Sequence, residues 1–557
     1  MVNFLFILLI SNTPISEIDF VGNKSINNKD LIEDILSKEN EEFNDVNIDF
    51  DTDRILRFYE TQGFFNVDVI HQVESTEEGV EITFHIEEGE RPKIEKIIVN
   101  GEEEEKKLKG FFEIKTNDFF IEEKIVITED KIRNYYKDRG YPYADVLSSI
   151  IPDSGKLIIN IEKGTLYYIR NVVIKGLKIC KLQVVHREII LKSGDKFSKS
   201  KLLDSQRHIY GLGFFGTITV DILKNEPDSI DLIFRVKELK SRVLNFGIGL
   251  SIPLKFLISF GIEELNLFNV GHRFMIQPSF STNIEKEWDA KIEGRYIIPH
   301  VTALQLTISI LPYLWFEETE SFTRNTRGNE FRISKVITKN AQVSIANKYK
   351  YVDLREKIAL PDTIKGITNS VKLQLMIENR EEFFNPQRGI FIMPLIEYAG
   401  GIFGGANDFI RLEIENRLYL PLFKNTIAQR LKLGVIIPTN GVAIYEKYYI
   451  GGQYSLRGYP EKSIGPDSIA HEKYGNIIGN YNVEARIALP FNFGLVGFFD
   501  IGYVDNEIYL LNSDFFKMSA GFGIRYYTPI GPARLDIGFP LANGQGREIY
   551  LGIYHIF

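Results

Sequence analysis

The alternation of hydrophobic and polar residues divides the chain into two regions of different periodicity. Up to about residue 238, stretches with helical spacing of apolar residues, such as Leu31, Ile32, Ile35 and Leu36, lie between stretches that alternate strictly. From about residue 240 to residue 557 the alternation continues with no convincing helical stretch. The pattern therefore predicts an N-terminal α/β region followed by an all-β region.

The first region repeats the order strand, helix, helix, strand, strand three times, at intervals of roughly 75 residues. Each opening strand ends in a Gly turn, and each second helix ends at a Gly, which readily adopts the left-handed conformation that stops a helix. These glycines are Gly22, Gly101 and Gly176 for the strands and Gly63, Gly140 and Gly213 for the helices. A single α/β domain would have to reproduce these spacings by chance, so the repeats predict three α+β domains at 15–89, 90–164 and 165–239.

The second region, residues 240–557, alternates with the period of a transmembrane barrel. Near its end Val483, Ala485 and Ile487 fall on one face, whereas Glu484 and Arg486 fall on the other. At about 20 residues per strand and loop, this region predicts roughly 16 antiparallel strands, an even number as in bacterial barrels. A soluble β-sandwich also alternates, but its strand ends rarely carry so many Tyr and Phe residues.

Charge and hydropathy exclude some classes of protein for this sequence. The formal net charge is −9, which gives no reason to expect a nucleic-acid partner. No stretch reaches the roughly 18 apolar residues of a spanning helix, so a chain that crosses a membrane must do so as a closed barrel. The apolar run from Phe4 to Ile10 fits the core of a signal peptide in residues 1–14. A short first strand or a misplaced start codon are the alternatives.

The sequence carries no recognisable catalytic or metal-binding set. Cys180 is the single cysteine, which excludes an intrachain disulfide, and the eight His residues do not cluster. Motifs of serine hydrolases, P-loop proteins and zinc proteases are missing. We therefore expect no enzyme activity, no metal and no cofactor.

Five barrel motifs and the three repeats together resemble the BamA/TamA superfamily of outer-membrane assembly proteins. The repeats are similar to POTRA (polypeptide-transport-associated) domains. Leu456-Arg457-Gly458-Tyr459 resembles the superfamily signature on a long extracellular loop, with Leu456 in place of the usual β-branched residue. The other four similar segments are 266–271, 379–389, 463–466 and 528–536. The resemblance covers essentially the whole chain.

The resemblance implies roles for particular residues of the barrel. It implies that Arg457 pairs with acidic residues on the inner wall, and the alternation offers Glu484 and Asp500 for this role. Candidate strands at 479–490 and 494–504 would be the twelfth and thirteenth, which places Arg457 between strands eleven and twelve. The last candidate strand, 547–557, resembles the C-terminal strand signal of such barrels through Gly552 and Phe557.

The resemblance also implies a function at the bacterial outer membrane, with the POTRA domains in the periplasm. Three POTRA units favour a TamA-like protein that inserts or translocates barrel or autotransporter clients. It would template strands at POTRA edges and at a lateral barrel seam. Nascent outer-membrane proteins, outer-membrane lipid and a TamB-like inner-membrane partner are the expected partners. The alternatives are a BamA-type general assembly subunit and a passive porin or surface antigen.

Overall fold

The computed structural model describes residues 13–557 except 78, 102–104, 226, 252–253, 302–303, 321, 358–362, 470–471, 508–515, 530 and 542–545. Of the candidate signal segment, residues 1–12 lie outside the described residues. By its internal contacts the chain forms two compact units. One contains most of the described residues from 13 to 236, and the other contains the described residues from 237 to 557 together with the segments Leu177–Arg187 and Leu212–Gly216. The predicted domain boundaries at 89, 164 and 239 stay predictions.

The N-terminal region contains three units with the predicted order β-α-α-β-β. The first is β1 (Ile15–Val21), α1 (Asn28–Asp34), α2 (Asp45–Thr61), β2 (Asp68–Ser75) and β3 (Val80–Glu87). The second is β4 (Lys96–Asn100), α3 (Glu105–Leu108), α4 (Glu122–Lys137), β5 (Asp145–Ile151) and β6 (Lys156–Glu162). The third is β7 (Tyr168–Lys175), α5 (Leu182–His186), α6 (Lys199–Gly211), β8 (Phe215–Asn225) and β9 (Ser229–Glu238).

Each unit folds its three strands into a small sheet with the last strand in the centre. The strand orders are β1-β3-β2, β4-β6-β5 and β7-β9-β8, and the opening strand runs parallel to the central one. The central strand alternates, so that in β3 Val80, Ile82, Phe84 and Ile86 all point into the first core. The first two units each bury an apolar core of their own, and the third unit buries Ile230, Leu232 and Phe234 of its central strand.

The second region forms one antiparallel sheet of sixteen strands, which confirms the predicted barrel. Its first eight strands are β10 (Arg242–Ser251), β11 (Lys255–Leu267), β12 (His272–Asn283), β13 (Trp288–Val301), β14 (Leu306–Glu318), β15 (Phe322–Thr338), β16 (Ala341–Glu356) and β17 (Thr363–Glu378). The last eight are β18 (Gly389–Ala399), β19 (Asp408–Leu422), β20 (Asn425–Gly441), β23 (Ile477–Ala488), β24 (Phe493–Asp505), β25 (Lys517–Thr528), β26 (Gly531–Pro540) and β27 (Glu548–Ile553). Two short strands, β21 (Asp467–Ile469) and β22 (Glu472–Tyr474), form a hairpin in the loop between β20 and β23.

The barrel wall is apolar outside and polar inside. On β25 Phe522, Ile524 and Tyr526 are exposed, whereas Arg525 between them is fully buried. Because lipid replaces water on the outer face, exposed apolar side chains there are stable, and the buried charges require a polar interior. Among the described residues no helix is both long and apolar enough to span a membrane.

The sheet has an unsealed seam between its first and last strands. In the described residues, hydrogen-bonded neighbours run from β10 to β27 without a ladder that joins these two. The strands also differ in length, since β10 has ten residues and β27 has six. One edge of β10 therefore carries backbone groups with no strand partner.

Candidate functional site

The site is built around the long loop between β20 and β23, residues 442–476, hereafter the long loop. Its residues Ile450 and Leu456 are fully buried and pack against Ile436, Ile478 and Val504 of the barrel wall. Gly502 provides the space for this contact, because a Cβ atom there would lie 2.6 Å from the Ile450 side chain. The long loop is therefore packed against the inner face of the wall.

Arg457 lies at the centre of the buried charges. Its guanidinium donates from Nε and Nη2 to the two Asp500 carboxylate oxygens, at 2.8 and 2.9 Å, and from Nη1 to Glu484 Oε1 at 2.7 Å. All three side chains are fully buried. Two-point pairing with a carboxylate is the geometry in which an arginine binds most strongly. We call Arg457 and its carboxylate partners the signature anchor.

The signature anchor includes a third carboxylate that the sequence reasoning did not assign. Asp536 on β26 lies 3.5 Å from Arg457 Nη1 and also accepts from Arg525 at 2.5 Å and Arg534 at 3.2 Å. The sequence pattern that could have pointed to Asp536 is its position on the polar face of a strand, beside Arg534. The Phe498 ring completes the pocket, with its centroid 3.4 Å from the Arg457 guanidinium carbon.

The residues after Arg457 contact the last strand. The backbone N–H of Gly458 donates to the Tyr550 hydroxyl at 3.1 Å, and that hydroxyl donates to the Tyr459 carbonyl at 3.0 Å. Gly458 has a φ of 90°, and a Cβ there would lie 3.1 Å from the backbone of Gly538 and Phe539, so only glycine fits without displacement. Tyr550, which the sequence reasoning missed, joins the long loop to β27.

A second set of contacts holds the beginning of the long loop, around a short helical turn at Ile444–Glu446. Glu446 is buried and accepts from Thr368 Oγ1 at 2.6 Å and from Lys350 Nζ at 2.5 Å. Arg411 donates to the Glu446 carbonyl at 2.7 Å and to Glu397 at 2.8 Å. We call Glu446 and these four side chains the near anchor. Glu446 lies outside the five segments that carry the resemblance, so no sequence pattern pointed to it.

The two anchors join the long loop to different parts of the wall. The near anchor uses side chains from β16, β17, β18 and β19, whereas the signature anchor uses side chains from β23, β24 and β26. Asn407, in the loop before β19, adds to the near anchor by accepting from the Ala443 N–H at 2.7 Å. The long loop therefore bridges two groups of strands that are not neighbours in the sheet.

The C-terminal strand differs from its prediction. β27 ends at Ile553, four residues before the predicted end at residue 557, because Tyr554 adopts a φ of 72° that breaks the strand. Gly552 stays in the strand opposite Arg534, and a Cβ there would lie 3.2 Å from the Arg534 side chain. Phe557 lies outside the strand and is buried with Ile556 against Tyr419 and Ala428.

Among the described residues no cluster of His, Cys, Asp and Glu has the arrangement of a metal site. The buried carboxylates are instead neutralised by guanidinium and ammonium groups. The arrangement is suited to holding a loop in one position, since breaking a buried pair leaves an uncompensated charge.

Two family models match the chain. One, described as the Omp85 superfamily domain, matches residues 266–555, and the other, described as POTRA, surface antigen variable number repeat, matches residues 13–89, 92–164 and 167–239. The crystal structure of BamA from Haemophilus ducreyi lacking POTRA domains 1–3 is similar in fold, with a TM-score of 0.65 and 20% identity. The match covers 84% of this chain and all of that one.

Curated relatives include outer membrane protein assembly factor BamA of Nitratidesulfovibrio vulgaris, 27% identical over 86% of this chain and 63% of the relative. BamA of Neorickettsia risticii is 23% identical over 96% of this chain and 77% of the relative. The chain thus spans less than two thirds of the first relative's length. The preference for TamA over BamA, drawn from the three repeats, finds no support in these relatives. The chain belongs to the Omp85 superfamily, with three POTRA domains ahead of its barrel.

Proposed function

We propose that this chain assembles client proteins into the bacterial outer membrane, as a BamA-type insertion factor rather than an enzyme. The barrel lies in that membrane and the POTRA domains in the periplasm. Clients would be unfolded outer-membrane barrel proteins. The names of the relatives above support the general assembly role.

The observation that carries this proposal is the unsealed seam. Within the part of the chain that the structure describes, one edge of β10 has no strand partner, and the side chains Leu244, Phe246, Ile248 and Leu250 of this strand are exposed on the outer face. An unpaired edge can template an incoming strand through backbone hydrogen bonds. A client strand that pairs with β10 would satisfy its own backbone groups while it enters the lipid.

The long loop supports the seam from inside the barrel. The signature anchor fixes Arg457 to β23 and β24, and Tyr550 connects the residues beside it to β27. We infer that the long loop holds the last strand in the position that leaves the edge of β10 accessible. The signature residues Leu456, Arg457, Gly458 and Tyr459 would thus act as supports, not as client-binding groups.

The TamA-like role and the role of a passive porin or surface antigen stay proposals. Three POTRA domains are the feature that favours a TamA-like role with autotransporter clients and a TamB-like partner in the inner membrane, yet the relatives reported above favour the general role. A passive porin or surface antigen is the alternative from another class. The buried side chains of the long loop favour assembly over this alternative, because a loop packed against the inner wall narrows a conducting path.

The proposal is tested by reconstituting the full chain in phosphatidylcholine vesicles and adding a urea-unfolded eight-stranded barrel as client. We expect protease-protected, folded client to accumulate faster than in empty vesicles. A disulfide between Ile248→Cys in β10 and a cysteine scanned along β27 should abolish this gain until it is reduced. The control disulfide joins Phe246→Cys to Phe260→Cys, which already pair across β10 and β11. Equal client folding with and without the chain, alongside ion conductance, would instead identify a porin.

A further inference from the structure

The last four residues of the chain, 554–557, hereafter the tail, do not continue the last strand. The final backbone hydrogen bond to β26 is that from the Tyr554 N–H to the Pro532 carbonyl, at 2.7 Å. Beyond it, His555, Ile556 and Phe557 are all buried, with 8%, 8% and 5% of their surfaces exposed. The tail therefore turns into the barrel instead of running along the wall.

The tail is held at its end by strands from another part of the barrel. Ile556 and Phe557 pack against Tyr419 of β19 and Ala428 of β20. Arg486 donates from Nη2 to the Phe557 carbonyl at 3.3 Å, and its guanidinium lies 5.4 Å from the centre of the Phe557 ring. These contacts bury the two apolar side chains away from lipid and from water.

The start of the tail is held by the turn between β17 and β18, residues 379–388, hereafter the latch turn. The Phe384 ring stacks on the Tyr554 ring, with centroids 5.1 Å apart and planes at 17°. Asn385 Oδ1 lies 3.1 Å from His555 Nε2, within hydrogen-bond distance. β17 and β18 are the eighth and ninth strands of the sheet and β27 is the sixteenth, so these contacts join distant strands.

The residue types of the tail fit this inward turn better than a longer strand. Ile549 and Ile553 face outward and are exposed, so a continued strand would place His555 and Phe557 on the same lipid-facing side. An imidazole in hydrocarbon would have no hydrogen-bond partner, which is costly. In the inward position His555 has Asn385 as a partner. The inward turn therefore accounts for a histidine at a position where a continued strand would face lipid.

We propose that Phe384 and Asn385 are positioning residues of the seam. By holding the tail inside the barrel, the latch turn keeps the last four residues out of β27. The last strand then stays too short to pair along the full length of β10, and the seam stays unsealed. This inference rests on the proposed function in one respect only, namely that the unsealed seam is where a client strand pairs with β10.

The first test measures the seam without reference to activity. Spin labels at Ile248→Cys in β10 and Ile553→Cys in β27 report the distance across the seam in a chain that carries Cys180→Ala. In the Phe384→Ala/Asn385→Ala variant we expect this distance to shift to shorter values, because the released tail can extend β27. Phe383→Ala is the matched control, since Phe383 is 72% exposed and neighbours Phe384 in the same turn. Phe384→Tyr, which keeps the stacking ring, should keep the original distance when Asn385 is present.

The second test fixes the tail covalently. Asn385→Cys and His555→Cys replace the hydrogen-bonded pair by a disulfide in the Cys180→Ala chain. The oxidised protein should insert the eight-stranded client at the reference rate, and reduction should lower that rate several-fold, as in the alanine pair. A rate that falls on oxidation and recovers on reduction would overturn the proposal, because the tail would then have to move during assembly.

Failure of this inference can be told apart from failure of the proposed function. If the reference chain inserts no client, the assembly role fails, while the spin-label distance still decides whether the latch turn sets the seam. If the reference chain inserts client and the seam distance is unchanged in the alanine pair, the latch proposal alone is wrong. A folded-barrel gel shift on each variant excludes loss of folding as the cause.

Discussion

At the scale of single residues, the interior of the barrel depends on charge neutralisation around Arg457. Glu484, Asp500 and Asp536 are fully buried and face the guanidinium groups of Arg457, Arg525 and Arg534, with Arg486 beside Glu484. Buried pairs of this kind add little net stability relative to apolar residues, but removing one partner is costly. We therefore infer that the cluster specifies a position for the long loop more than it stabilises the barrel.

We expect Arg457→Ala to fold as a barrel but to lose assembly activity. The substitution leaves Glu484 and Asp500 without their shared partner, a loss on the order of 3–5 kcal/mol for a broken buried pair. The backbone ladder does not involve this side chain, so heat-modifiable migration should be unchanged. Trypsin added outside intact vesicles should cut the long loop faster than in the parent chain. Arg355→Ala, which removes a largely exposed arginine, serves as the control. Parent-like loop protection together with parent-like client insertion would show that the signature anchor is dispensable.

The single cysteine offers a second prediction at this scale. Burial, with a smaller contribution from the Glu238 carboxylate, raises the pKa of the Cys180 thiol to about 11. Since the thiolate is the reactive form, its fraction at neutral pH is about 100-fold below that of an ordinary cysteine. We expect maleimide to label Cys180 slowly in the native chain and rapidly in urea. Rapid native labelling at pH 7 would contradict the buried position.

The sequence was sufficient for part of the site because the alternation of a strand fixes which side chains face inward. This periodicity puts Glu484 and Asp500 on the inner face, and both carboxylates lie within 2.9 Å of Arg457 nitrogen atoms. Glu446 lies in a loop without periodicity, so its partners depend on how the loop folds back. No local pattern contains that information.

At the scale of elements, the long loop is a bridge with two supports. Its beginning is bound by the near anchor and its centre by the signature anchor, with only about ten residues between Glu446 and Arg457. Loss of either support leaves the other in place. The two sets of contacts should therefore contribute separately to loop position.

We expect Glu446→Gln to loosen the beginning of the long loop while Arg457 stays paired. The amide removes the charge that neutralises Lys350 and leaves the Lys350 ammonium and the Arg411 guanidinium less well compensated. Limited proteolysis should show faster cleavage at Lys447 than in the parent chain. Glu461→Gln, an exposed carboxylate of the same loop, is the matched control. Unchanged cleavage in Glu446→Gln would mean that the near anchor does not hold the loop.

Tyr550→Phe tests the connection between the long loop and the last strand. It removes the hydroxyl that bonds Gly458 and Tyr459 but keeps the ring, at about 0.5–1.5 kcal/mol for each hydrogen bond. We expect faster amide hydrogen exchange in β27 and slower client insertion, with an unchanged folded yield. Tyr526→Phe on the lipid-facing side of β25 should change neither quantity. If both variants behave alike, the hydroxyl bridge has no role at the seam.

The strand order was predictable, whereas the end of the last strand was not. Regular alternation predicts sixteen strands because each one obeys the same local rule. The turn at Tyr554 breaks this rule, since burial of Ile556 and Phe557 and the contacts of the latch turn outweigh a longer ladder. Where the last strand ends therefore depends on residues more than a hundred positions away in the sequence.

At the scale of the whole molecule, the first two POTRA units each have a core of their own, whereas one short element of the third unit groups with the barrel. The Lys181 N–H donates to the Asn269 carbonyl at 3.0 Å, in the turn between β11 and β12. We expect residues 15–238 expressed alone to be soluble, with mixed α/β circular dichroism. In this fragment α5 (Leu182–His186) should exchange its amide hydrogens faster than in the full chain. An unfolded fragment would contradict the division into three domains.

The division of the long loop between its two anchors has a consequence for the order of folding events. All partners of the near anchor, from Lys350 to Arg411, precede the loop in the chain, whereas all partners of the signature anchor, from Glu484 to Asp536, follow it. When strands form from the N-terminus onward, the loop can dock on the early wall before the late wall exists. The later strands would then close around a loop that is already in place. The loop would not have to enter a barrel that has already closed.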